Sequence, residues 1–148
     1  MQNIIMNSQW APGPNGGPQY FSGFGPITYD RLSIDGYRTC SITNSGPMMA
    51  QDFYDPMIDV QGRAAITWGF TIRTVDADYI SLVAAFYAGN MAIVSTSEMP
   101  VTGEVTYEFK PVAARFTIPA GANQVRLSIK FAGKVTACTY YMPVAYYS

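Results

Sequence analysis

Carboxylates are the side chains in this sequence best able to do chemistry. Asp52, Asp55 and Asp59 fall within QDFYDPMIDV, and Asp76 and Asp78 stand two apart at a turn signal. Two such acids facing one another could serve as acid and base in glycoside hydrolysis. The chain has no histidine, which removes Ser-His-Asp and Cys-His nucleophiles and the commonest metal ligand. Cys40 and Cys138 have no CxxC spacing, so zinc is not expected. Both are expected as buried free thiols, with a single bridge as the alternative. No EF-hand spacing points to calcium, and the glycine-rich segment lacks a phosphate-cradling GxxxxGK[ST]. Asp also hydrogen-bonds nearby backbone amides in turns. These acids are therefore read as turn formers, and the expectation is no enzymatic activity, no cofactor and no metal.

Aromatic rings offer a second chemistry. A sugar presents an apolar C–H face that a flat ring can cover while neighbouring polar groups take its hydroxyls. Trp10, Tyr20 and Phe21 lie in or beside a Pro/Gly-rich loop and are the candidate stacking residues. Trp10 reads first as a pin that fixes the loop to the fold, and second as a stacking residue. Trp68 shares an alternating face with Ile66, Phe70 and Ile72 and is assigned to the core. A fourth candidate is Asp30, in GFGPITYDRLSIDG. On a strand it shares a face with Leu32 and Ile34, an odd setting for a carboxylate. It reads first as a latch accepting loop N–H groups, with Arg31 pairing an acid on the opposite face, and second as a ligand contact.

The elements that must position these residues are strands. Eleven Tyr, eight Phe and two Trp suit pleated surfaces, and apolar residues alternate at period two between Gly and Pro punctuation. In AAITWGFTIRT, residues 64 to 74, Ile66, Trp68, Phe70 and Ile72 take one face. YISLVAAFYAG, residues 79 to 89, is apolar on both faces, as for a central strand covered on two sides or facing a partner. EVTYEFK predicts a strand with Val105, Tyr107 and Phe109 on one face. ARFTIPAGANQVRLSIKF predicts two strands joined at Pro119-Ala120-Gly121. A last strand spans Thr136 to Tyr147, with Pro143 marking an edge or a bulge. Residues 10–26 hold four Pro and five Gly and read as a long loop. The spacing suits roughly nine or ten strands in one all-β sandwich or barrel domain over residues 1–148.

Apolar residues make up 49% and charged residues 13%, which argues against disorder and suits a β-rich protein or one whose surface is partly hidden by partners. The first 108 residues carry four bases against ten acids, net −6, and the remainder carry five bases and no acid. The bases are dispersed, whereas nucleic-acid binding needs a dense basic footprint, so no nucleic-acid partner is expected. No segment is long and apolar enough to span a bilayer as a helix, and MQNIIMNSQW has no basic, apolar leader. The chain is expected to be made in a cytosol, or to have lost a leader already.

In order along the chain, NIIMNSQW, YDRLSIDG after a Gly/Pro loop, MMAQDFYDP and AAITWGFTIR resemble the jelly-roll β-sandwich modules of phage tail fibres and other virion appendages. FTIPAGANQVRLSIKFAG is similar to the penultimate hairpin of the wider carbohydrate-binding-module superfamily. Leu32 departs from the Trp usual in the phage pattern. With no carboxylate after Glu108, the terminal acidic pair that holds a structural calcium in glycan-binding relatives has no counterpart. The resemblance implies an antiparallel jelly-roll β-sandwich and a non-catalytic structural or binding part of a tail fibre, head fibre or decoration protein. Its implied partners are further copies of the chain, neighbouring virion proteins and surface glycan, and its implied location is the virion. The rival is an extracellular, stand-alone carbohydrate-binding module of a glycan-degrading system.

Overall fold

A computed structural model describes residues 2–14, 16–34 and 36–148, with side chains except those of 31–33 and 45. Nine strands follow in order: β1 (Phe21–Phe24), β2 (Ile27–Ile34), β3 (Tyr37–Tyr54), β4 (Ile58–Asp59), β5 (Ala65–Thr74), β6 (Ala77–Tyr87), β7 (Ile93–Pro100), β8 (Lys110–Thr117) and β9 (Gln124–Tyr147). One 3-10 turn covers Thr102–Glu104. No helix among the described residues is long and apolar enough to cross a membrane.

The long strands β3 and β9 each run through both layers of a jelly-roll β-sandwich. Residues 124–133 of β9 pair with β6 on one side and with the second half of β3 on the other. Residues 138–147 pair with β5 and with the first half of β3. One sheet is therefore β7-β6-β9-β3-β1, and the other is β8-β5-β9-β3-β2. The crossing falls where the β3–β9 register shifts, between Ile42 and Met48. There Gly133 takes φ +76°, a conformation that favours glycine.

Alternation explains the core. Ile66, Trp68, Phe70 and Ile72 of β5 face Val125, Leu127, Ile129 and Phe131 of β9, all eight at most 2% exposed. The Trp68 indole donates to the Ser128 carbonyl oxygen across the layers at 2.9 Å. Rings continue the core as a chain of edge and tilted contacts, from Trp68 through Phe70, Tyr140, Trp10 and Phe21 to Tyr54. Cys40 and Cys138 are buried and unbridged.

Three sequence expectations need correction. The strands on either side of Pro119-Ala120-Gly121 are not a paired hairpin. β8 pairs with β5 in one sheet, while residues 124–133 of β9 join the other sheet. Facing strands and paired strands share the same alternation, so pattern alone cannot separate them. EVTYEFK is not a strand either. The Thr106 hydroxyl accepts the Glu108 N–H, closing a turn, and Tyr107 is 74% exposed. Finally, residues 21–24 of the predicted loop pair with Tyr54 through Gln51 as strand β1. Pro143 lies in a central strand, and the β5–β9 register shift between Gly69 and Thr71 is the bulge that admits it.

Gly69 of β5 sits where a Cβ would press on the Val112 carbonyl oxygen and lie 2.6 Å from Ala113 Cα. These are backbone atoms that cannot turn aside. Gly69→Ala should cost roughly 2 kcal/mol or more, read as a lowered denaturant midpoint; an unchanged midpoint would contradict this packing.

Candidate binding site

Of the four residues singled out by sequence, the structure brings Trp10 and Phe21 together in the core, leaves Tyr20 exposed and sets Asp30 apart against β3. Trp10 is fully buried, with Phe21 and Tyr140 edge-on at 5.4 and 5.6 Å. No ring face is open to a sugar, so Trp10 is the pin of its first reading, and its candidate stacking role is corrected. Phe21 is 8% exposed and packs on Tyr54. Tyr20 remains 38% exposed, its backbone oxygen accepting the Asp55 N–H. Asp30 accepts the hydroxyls of Thr39 at 2.7 Å and Ser41 at 2.6 Å. Its partners are thus hydroxyls of the neighbouring strand rather than loop amides, because the carboxylate faces across β2 to β3. The loop is held instead by Tyr29, whose hydroxyl donates to the Trp10 carbonyl oxygen, and by Arg38, whose N–H donates to the Gln9 oxygen. The Arg31 side chain lies outside the described residues.

Of the acids expected as turn formers, Asp59 closes a local turn, while Asp76 and Asp78 hold the distant Lys134. Asp59 accepts the Gln61 N–H, Asp78 accepts the Lys134 N–H, and Asp76 pairs with Lys134 at 2.8 Å. Asp52 is different: it is 6% exposed, inside the sandwich, and accepts the Tyr140 hydroxyl at 2.9 Å. Nothing in QDFYDP marks it, since the register with Ile129, set by pairing to β9, decides which way it points. Among the described residues no three acids or cysteines gather as a metal site.

A coherent polar surface appears on the outward face of the sheet β7-β6-β9-β3-β1. Register places Glu98, Val83, Ser128, Phe53 and Ser22 in one row across the five strands. The next row holds Pro100, Ser81, Lys130, Gln51 and Phe24. Small side chains occupy the middle, where outward-facing Ser81 and Ser128 are 0% and 2% exposed. Longer groups stand on both sides: Tyr79 and Glu98 on one, Phe53, Gln51 and Arg126 on the other. The result is a shallow trough whose short, polar middle is covered by the longer groups beside it.

Its rim is held by bonds between side chains. Glu98 accepts the Tyr79 hydroxyl and, at 3.4 Å, the Lys130 ammonium. The Gln51 amide donates to the Ser128 hydroxyl at 2.9 Å. Arg126 lies 4.3 Å from the Phe53 ring centre and 3.4 Å from Asp55, which also accepts the Ser22 hydroxyl. The Tyr79 hydroxyl, more than the Lys130 charge, holds Glu98 below the usual carboxylate range, while the bond to Glu98 raises Tyr79. Ser81 lies near enough to add to this effect, although its buried hydroxyl makes no bond of good geometry. An ionised carboxylate, an ammonium, an amide and a phenol ring thus line one surface, a set able to bond hydroxyls and cover a C–H face. The outward Val83 and Ala85 were the signal for it: small apolar residues on the wrong face of YISLVAAFY.

No protein-family model matches the chain, and no curated protein matches its sequence. Solved structures match in fold. The chain aligns over 99% of its length with bacteriophage CBA120 tailspike protein 4, enzymatically active domain, at TM-score 0.67 and 13% identity, spanning 21% of that chain. It aligns over 100% of its length with 100% of TmCBM61, solved in complex with β-1,4-galactotriose, at TM-score 0.66 and 12% identity. It also covers 96% of the family 11 carbohydrate-binding module of the Clostridium thermocellum cellulase Lic26A-Cel5E, at TM-score 0.58 and 12% identity. The chain thus shares the jelly-roll β-sandwich fold of carbohydrate-binding modules and of a part of a phage tailspike.

Proposed function

We propose that this chain is a non-catalytic module that binds glycan through the trough across β7, β6, β9 and β3, as part of a phage virion appendage. The observation that carries the reading is the row of small residues flanked by Tyr79, Glu98, Lys130 and Gln51. Sugar hydroxyls would bond Glu98, Lys130 and Gln51, and a sugar ring would lie on Tyr79. The likeness to a tailspike domain supports the virion setting. In it the chain would assemble with further copies of itself or with neighbouring virion proteins. β7 offers the edge for such contact: among the described residues it pairs with β6 alone, and it exposes Ile93 and Met99.

A glycan array on the purified chain tests the reading. Binding to at least one glycan is expected, and Tyr79→Ala should weaken it roughly tenfold or more, about 1.4 kcal/mol, with the fold intact by circular dichroism. Undiminished binding in that variant would remove the trough from the account. The second reading, an extracellular stand-alone carbohydrate-binding module of a glycan-degrading system, is favoured by the end-to-end match to TmCBM61. Light scattering separates the two: an obligate oligomer supports the appendage, and a monomer supports the stand-alone module.

A further inference from the structure

A cavity of about 290 Å³ opens at the edge of the sandwich where β1 ends one sheet and β2 ends the other. Small-molecule pockets run roughly 300–1,000 Å³, so it suits a compact ligand. Phe21, Phe24, Ile27 and Tyr29 give it aromatic and apolar walls, and Cys40 and Asp52 lie deeper. This site meets the outward face only at Ser22 and Phe24 of β1, beyond the four strands of the trough, and does not depend on the glycan reading.

Asp52 is the group to explain. A buried carboxylate is costly unless a cation or several hydrogen bonds compensate it. Its one described partner is the Tyr140 hydroxyl, and it makes no ion pair among the described residues. Nearby guanidiniums are committed elsewhere. Arg38 donates to the Asp30 carbonyl oxygen and stacks 4.2 Å over Tyr29, and Arg126 pairs with Asp55. The surroundings are otherwise acidic or neutral: Asp55 pushes Asp52 up, and burial, then Asp52 and Asp30, push up the Cys40 thiol, which stays uncharged. The polar interior beside the cavity is also incompletely paired, since the Trp10 Nε1–H, on a ring packed against Phe21 and Tyr140, has no partner.

We infer that this cavity binds a small protonated amine carried on a compact apolar body, its ammonium against Asp52 and its body against Phe21, Phe24 and Tyr29. An ammonium supplies the counter-charge that no described residue provides, and aromatic walls attract a cation while covering an apolar body. A neutral ligand leaves the carboxylate uncompensated, and an anion is repelled. Burial places Asp52 near pKa 7, so the carboxylate is most available to the amine above neutrality.

Titration of the full chain with benzylamine, followed by protein NMR, tests this. Saturable binding is expected at pH 8, tighter than at pH 6, where benzylamine is still protonated but Asp52 is largely neutral. Benzyl alcohol, alike in shape but uncharged, should bind at least tenfold more weakly, and glucosamine more weakly than benzylamine. Asp52→Asn should lower benzylamine affinity at least tenfold. Phe24 is half exposed at the rim, so Phe24→Ala should keep the fold and weaken binding several-fold, which decides the matter if the Asn variant misfolds. No saturable benzylamine binding, equal binding of the alcohol, tighter binding of glucosamine, pH-independent affinity, or unchanged affinity in either variant would overturn the assignment.

Discussion

Acidification from pH 8 to pH 5 should stabilise the folded chain, and Asp52→Asn should abolish the gain. Burial raises Asp52 from 3.8 to about 7, Asp55 adds to the rise, and the Tyr140 hydroxyl opposes it. Tyr140 and Cys40 are themselves pushed up, chiefly by burial, and stay neutral throughout. Between the two values the unfolded carboxyl has lost its proton while the folded one keeps it. Stability therefore falls as pH rises through this window and levels off above about 7. The full effect is on the order of 4 kcal/mol at about 1.4 kcal/mol per pH unit, of which about 3 kcal/mol falls between pH 5 and 7. For a domain of this size that is roughly 6–12 °C in Tm. Glu98, held low, works in the opposite sense, losing its contribution only as pH falls through its own folded value. Thermal melts of the parent and Asp52→Asn across this range check the prediction. A parent more stable at pH 8 than at pH 5 would show that Asp52 is not buried as described.

The second large effect is at Trp10. Its ring touches Phe21, Phe70 and Tyr140 and is wholly buried, so Trp10→Ala should cost roughly 3–5 kcal/mol. Trp10→Phe should cost much less, since the lost volume is partly offset by removing an indole N–H that has no partner. Urea unfolding of both variants measures the difference. A Trp10→Ala variant as stable as the parent would return Trp10 to the surface and to the ligand-stacking role.

Much of the fold was legible because period-two patterning is a local property. Ile66 through Ile72 and Val125 through Phe131 point inward as their alternation predicts. Pairing is not local. The turn after β8 looks like a hairpin, and only the long-range registers show that it carries the chain between sheets. The same limit hid both sites. The trough brings together Glu98, Ser81, Lys130 and Gln51 from four strands, and no window of sequence contains more than one of them. Asp52 sits in sequence beside the surface acids Asp55 and Asp59, and a single residue of register separates a core carboxyl from a surface one. Trp10 misleads for a related reason: a Pro/Gly loop suggests exposure, yet Tyr29 and Arg38 fold it onto the core.

The most direct test of the glycan-binding claim is backbone NMR of the chain with the oligosaccharide that scores highest on the array, alongside an assay for new reducing ends. Shifts concentrated at Tyr79 to Val83, Thr96 to Pro100, Arg126 to Lys130 and Gln51 to Phe53, with no reducing ends released, are what the trough predicts. Shifts centred on the 10–20 loop or around Asp30, or steady release of reducing ends, would contradict it.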